Sequence, residues 1–248
     1  VTLMATHDII LTGSNTTGIG LQLNGTNTLN ATNGSINLTG NSTNGMGIDL
    51  NSGNTLTATS GAISFNGTSG KNRGINIYGT SNILNATEIN LTGSSTDAEG
   101  IDISGSSTLT ATSGNISLNG TAQSKWYGVR IQGSNITATN GSISLTGNNT
   151  NGTGLQLNGT NTLTATNGSI NLTGNSTNGI GIDLEGTNIL TATGGAISFN
   201  GTSGRNRGIN ICGTSNMTAT AINLTGSSTG AEGIDISGSS TLTATSGN

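Results

Sequence analysis

The phrase LTGSNTTGIGLQLNGTNTLNATNGSIN beginning at Leu11 returns as LTGNNTNGTGLQLNGTNTLTATNGSIN at Leu145, and inside each copy a shorter motif recurs about every 27 residues. A unit that short cannot bury a core of its own, so its copies must stack on one another. The units begin at Leu11, Leu38, Phe65, Leu91, Leu118, Leu145, Leu172, Phe199 and Leu224, which makes nine. Leu11 and Leu145 are 134 residues apart (145 − 11), as are Leu38 and Leu172, so residues 11–144 form a block of five coils repeated from 145 onward. The eighth unit has lost one residue, since Leu91 to Leu224 is only 133. One elongated domain over 1–248 is expected.

Local patterning decides what a coil is made of. Apolar and small polar residues alternate in three short runs per unit, for instance Leu21-Gln22-Leu23, Leu29-Asn30-Ala31 and Ile36-Asn37-Leu38, with Gly, Asn, Ser and Thr between them. Alternation of period two turns one face in and one face out, as in a strand, and no stretch sustains helical spacing. Three strands of two or three residues cannot make independent hairpins, which points to an all-β parallel solenoid in which each coil pairs with the next. The column Ala31, Ala58, Ala86, Ala111, Ala138, Ala165, Ala192, Ala219 and Ala244 is expected to point inward where the walls converge. With Leu29, Leu56 and their equivalents, and first-strand pairs such as Ile48/Leu50, each coil buries about six aliphatic side chains at about 1.5–3 kcal/mol each before entropy. Nine coils at about 4.8 Å make a rod of about 43 Å.

With 42 Gly, 2% aromatic and 6% charged residues, the chain could pass for a disordered polymer, but its apolar residues keep register at every coil. The lack of proline suits inter-coil hydrogen bonding. A net charge of −4 gives no basic stripe and argues against nucleic acid as a partner. Cys212 stands alone where the matching unit has Tyr78, so a free thiol is expected and no disulfide framework. His7, in an irregular opening coil, reads as incidental. The chain enters and leaves mid-coil with no signal peptide or membrane span, as expected of an excerpt with open strand edges.

Several surface columns could carry chemistry. The outward positions of the first strand form the ladder Gln22, Asp49, Asn76, Asp102, Arg130, Gln156, Asp183, Asn210 and Asp235. A retaining glycosidase needs carboxylates about 5–5.5 Å apart, yet no two Asp fall in adjacent coils here. Asp102 beside Arg130 reads as a cross-strand ion pair. The turn before this strand alternates in sign, Lys71-Asn72-Arg73, Asp97-Ala98-Glu99, then Lys125-Trp126-Tyr127. The last of these is one residue longer and holds the only Trp, so Lys125, Trp126 and Tyr127 are candidates for stacking on a sugar or a protein partner. The middle strand offers Thr55, Thr57, Thr59, Thr108, Thr110, Thr112, Thr162, Thr164 and Thr166, a flat array similar to antifreeze solenoids, interrupted by Ile83, Asn85, Asn135, Ile189 and Asn216. Asn-x-Ser/Thr triplets put possible glycan acceptors at Asn15, Asn24, Asn41, Asn66, Asn119, Asn148, Asn158, Asn175 and Asn200. No Cys, His or carboxylate cluster shows metal spacing, so neither a metal nor any other cofactor is expected.

The NxT-rich coils, the TLTATNGSINLTG walls and the GIDI and GINI first strands resemble the filamentous haemagglutinin and high-molecular-weight adhesin class of bacterial two-partner-secreted exoproteins. That resemblance covers the whole chain in repeat style. It implies a right-handed parallel β-helix, export through an outer-membrane secretion partner, an extracellular or cell-surface location, adhesion to a host-cell or matrix receptor or glycan, and hexoses on some sequons. The family's secretion domain carries Asn-Pro motifs, so a chain without proline would be shaft only, engaging the secretion partner through another region. The leading expectation is therefore a non-enzymatic structural and adhesive shaft, with end-to-end or lateral self-association open to it. An ice-binding solenoid and a carbohydrate-processing β-helix enzyme are the alternatives.

Overall fold

The computed structural model describes residues 1–246, so the last two positions of the expected domain lie outside the described residues. The chain is all-β and every strand pairing is parallel. Each coil contributes three walls, as in Leu21–Asn24, Thr28–Ala31 and Ile36–Ser42. The first walls stack into a nine-stranded sheet from Leu21–Asn24 to Ile234–Ile236. The second and third walls merge into one larger sheet, because several strands run through the corner, such as Thr55–Ser69 and Thr187–Ser203. At these corners neighbouring coils differ in length: Ala58 to Ala62 lies against Ala86 to Glu88, and pairing shifts register between them.

Alternation selects the core. Ile48, Leu50, Leu56, Ala58, Ile63 and Phe65 are buried in one coil, and their equivalents are buried in the coils beside it. The alanine column holds its register and is buried from Ala31 to Ala219. Ala244 keeps the pairing with Ala219 but is exposed, like the rest of the strand Thr241–Ala244.

Three features differ from expectation. The opening segment joins the stack, with Thr2–Ala5 in register against Thr28–Ala31 and the exposed His7 just beyond it. Third-wall strands reach seven residues rather than two or three, because their far end is also anchored inward. There Ser42 Oγ donates to the Gly18 carbonyl at 2.6 Å and accepts from the Gly45 N–H at 2.8 Å, and Ser69, Ser176 and Ser203 repeat the pattern of donation to the preceding coil. In the same strand a Cβ on Gly40 would collide with the Gly47 carbonyl oxygen, so only glycine lets the third wall close against the next first wall. The third difference is a column of buried amides and hydroxyls at the turn before the second wall, including Asn27, Asn54, Asn82, Ser107, Asn161 and Asn188.

Candidate functional site

The polar ladder of the first wall is an outer face, yet most of it is covered. Asp102 is 1% exposed, with Arg73 and Arg130 lying against it, and Asp49 is 4% exposed between Gln22 and Asn76. The column expected to face outward does so, but most of its members are shielded from solvent. Burial demands partners, and the ladder supplies them between coils. Asp49 accepts from Gln22 Nε2 at 2.9 Å and from Asn76 Nδ2 at 2.7 Å. Asp102 accepts two hydrogen bonds from Arg130, at 3.0 and 2.7 Å, and Arg73 Nε lies 3.0 Å away as an ion pair without hydrogen-bond alignment. These hydrogen bonds hold the Arg130 guanidinium above its ordinary range despite its partial burial. Arg73 also reaches Glu99 at 3.2 Å, which joins two of the oppositely charged turns, whereas Lys125 of the third lies over Trp126.

Together these side chains floor a groove of about 500 Å³, walled by Tyr78 and Gln132. Tyr78 is 56% exposed, and Asn76 Oδ1 in the floor has no partner. Asp49 and Asp102 are two coils apart, about 9.6 Å along the axis, wider than a retaining pair.

The turn at Lys125, Trp126 and Tyr127 divides in two. Lys125 and Trp126 are exposed, with the ammonium 5.3 Å from the indole centroid. Tyr127 instead turns over the first wall, where Arg130 stacks on it at 5.6 Å, and burial raises its hydroxyl pKa. A tyrosine already stacked this way offers little to an incoming ligand, so the exposed platform is Trp126 with Lys125.

Eight of the nine glycan-acceptor candidates fall on three columns, and Asn15 lies apart in the column of Ser42. Asn66, Asn119 and Asn200 share one exposed third-wall position, in register through intervening threonines. Asn15 and Asn41 are exposed nearby, whereas Asn148 and Asn175 are half-buried and bonded to each other at 2.9 Å. Asn24 is exposed at the end of the first wall, and Asn158, in the same column, is half-buried and donates to Glu185.

The threonines also resolve into columns. Thr55, Thr108 and Thr162 lie in the interrupted one, with Ile83, Asn135, Ile189 and Asn216. Thr57, Thr110 and Thr164 lie in another, broken by Asn85 but continuous from Thr110 through Thr137, Thr164, Thr191 and Thr218 to Thr243. Thr59, Thr112 and Thr166 follow the inward alanines on the edge of the face, where the Thr112 hydroxyl donates to the Ala86 carbonyl at 3.3 Å.

One cluster was not anticipated. Asp183, Glu185 and Cys212 bring their oxygen and sulfur atoms within 4.8 Å of one another, against the expectation that no such spacing exists. Asp183 lies in the strand Ile182–Leu184, and Glu185 follows its last residue, two positions on. Cys212 follows Ile211, which pairs with Leu184, so stacking sets it beside Glu185. The alternation Asp183-Leu184-Glu185 was the available signal, but Cys212 comes close only through inter-coil register. Burial first, then the Asp183 charge, raise the Glu185 carboxyl and the Cys212 thiol above their ordinary pKa values. Asp183 is 3% exposed and accepts from Asn210 at 2.7 Å, so it cannot approach a sugar ring as a glycosidase nucleophile would.

No protein-family model, curated protein or solved structure matches the chain.

Proposed function

We propose that this chain is a structural and adhesive shaft of a bacterial surface-exposed or secreted exoprotein, of the filamentous haemagglutinin-like class that its repeats resemble. The observation that carries this reading is the unbroken nine-strand parallel wall, a stiff rod that holds side chains at fixed heights along its length. Exposed acceptor positions at Asn66, Asn119 and Asn200 along one edge, and Trp126 on a protruding turn, suit a glycosylated surface fibre that meets a host receptor or glycan. Export through an outer-membrane partner belongs to the same reading. Intact mass of the native material tests it: added hexose masses support the adhesin, and an unmodified mass counts against a glycosylated shaft. The adhesive contact is tested with Lys125→Ala combined with Trp126→Ala, which leaves the Tyr127–Arg130 stack in place. Lower binding to cells or glycans with an unchanged melting temperature supports adhesion at this turn, and unaltered binding makes the segment a spacer.

A second reading, ice binding, is favoured by the threonine column running unbroken from Thr110 to Thr243, with hydroxyls repeating about every 4.8 Å. Thermal hysteresis abolished by Thr164→Lys would support it, and none in the unmodified chain would end it.

A further inference from the structure

We propose that Asp183, Glu185 and Cys212 form a site for a borderline divalent cation of the zinc class, with the Gln156 amide as fourth donor. Two carboxylates and a thiol converge within 4.8 Å. A mixed sulfur and oxygen set of this kind suits zinc better than magnesium or calcium, which prefer oxygen alone. Charge supports the assignment. At the equivalent place in the first block Asp49 is likewise met by the amides of Gln22 and Asn76, but it stands alone, because the residue matching Glu185 is the neutral Asn51. Among the described residues no Lys or Arg pairs with Asp183 or Glu185, whose opposing partners are only amides.

Gln156 is the independent observation. It is 4% exposed, and its amide faces the cluster, with Nε2 3.1 Å from Asp183 Oδ2 and 3.4 Å from Glu185 Oε2, while Oε1 has no partner. A half-turn of the amide would present that orphaned oxygen to a cation, the metal replacing the two Nε2 hydrogen bonds as the group that offsets the paired carboxylates. Bond lengths of about 2.0–2.3 Å require the donors to draw closer than they stand. Glu185 is only half-buried and Cys212 exposed, so both can rotate inward. Binding would release the thiol proton to solvent and leave thiolate sulfur on the metal. The duplicated block supplies a control, because the residues matching Glu185 and Cys212 are Asn51 and Tyr78.

The test is titration of the reduced full chain with Co²⁺, read by thiolate-to-cobalt charge-transfer absorption, followed by displacement with Zn²⁺. One equivalent per chain is expected, displaced by Zn²⁺. Glu185→Asn and Cys212→Tyr, which install the first block's own residues, should each weaken binding at least about 100-fold with an unchanged circular dichroism spectrum. Absence of the band in the unmodified chain overturns the proposal, whatever the variants do. A band that persists in Glu185→Asn places the metal elsewhere and overturns it too.

Discussion

Asn54 donates from Nδ2 to Asn82 Oδ1 at 3.0 Å across one coil step, with both side chains fully buried. The same amide nitrogen also lies within 3.3 Å of the Leu23, Asn51 and Ser52 carbonyls, and Asn54 Oδ1 accepts from Asn27 at 2.7 Å. One side chain thus satisfies the backbone of its turn and links three coils. Asn54→Ala should cost about 2–3 kcal/mol, because it leaves buried carbonyls and an amide unpaired. Asn54→Ser should cost clearly less, since Ser107 and Ser134 fill this column elsewhere. Urea denaturation of both variants measures the difference.

Ala111 is fully buried with Ala86 and Ala138 in register on either side. Ala111→Leu should overpack that corner and cost about 1–3 kcal/mol. Thr110→Val, one residue away on the outer face, should be nearly neutral. Equal destabilisation, read from the same denaturation curves, would mean the strand is inverted.

Arg130 is the main partner of a carboxylate that is 1% exposed. Arg130→Met should lose about 2–4 kcal/mol, less than a fully orphaned charge because Arg73 stays within reach. Adding Asp102→Asn should recover most of that loss, since removing both charges restores a neutral ladder. A double-mutant cycle on melting curves tests the coupling.

Glu185 carries a penalty at neutral pH. Its folded carboxyl ionises only above its ordinary value near 4.5, so as pH rises through that window the unfolded chain loses the proton first and stability falls. Glu185→Gln should therefore raise the melting temperature at pH 7 in the presence of a chelator, with the gain vanishing below about pH 4. A gain of equal size at both pH values would remove titration as the cause.

The apolar walls were legible because alternation is a local property: Ile48-Asp49-Leu50 announces its inward pair without reference to any other coil. Asn54 was not, since asparagine in a turn reads as solvated until the partner one coil away is known. The burial of Asp49 and Asp102 was hidden for the same reason, as Gln22 and Asn76 meet Asp49, and Arg73 and Arg130 meet Asp102, from neighbouring coils. The Asp102–Arg130 pair could be read, because the repeat itself sets that register. Tyr127 was misjudged together with Trp126, because adjacency in sequence does not reveal that Arg130 folds back onto one ring and leaves the other exposed.

The rod itself is tested most directly by a distance along its axis. Asn66 and Asn200 occupy one exposed column five coil steps apart, so spin labels at Asn66→Cys and Asn200→Cys, in a Cys212→Ser background, should lie about 24 Å apart at 4.8 Å per coil. Double electron–electron resonance should give a single narrow distribution near that value, broadened only by the label linkers. A broad distribution, or a mean far from about five coil spacings, would contradict a continuous parallel stack.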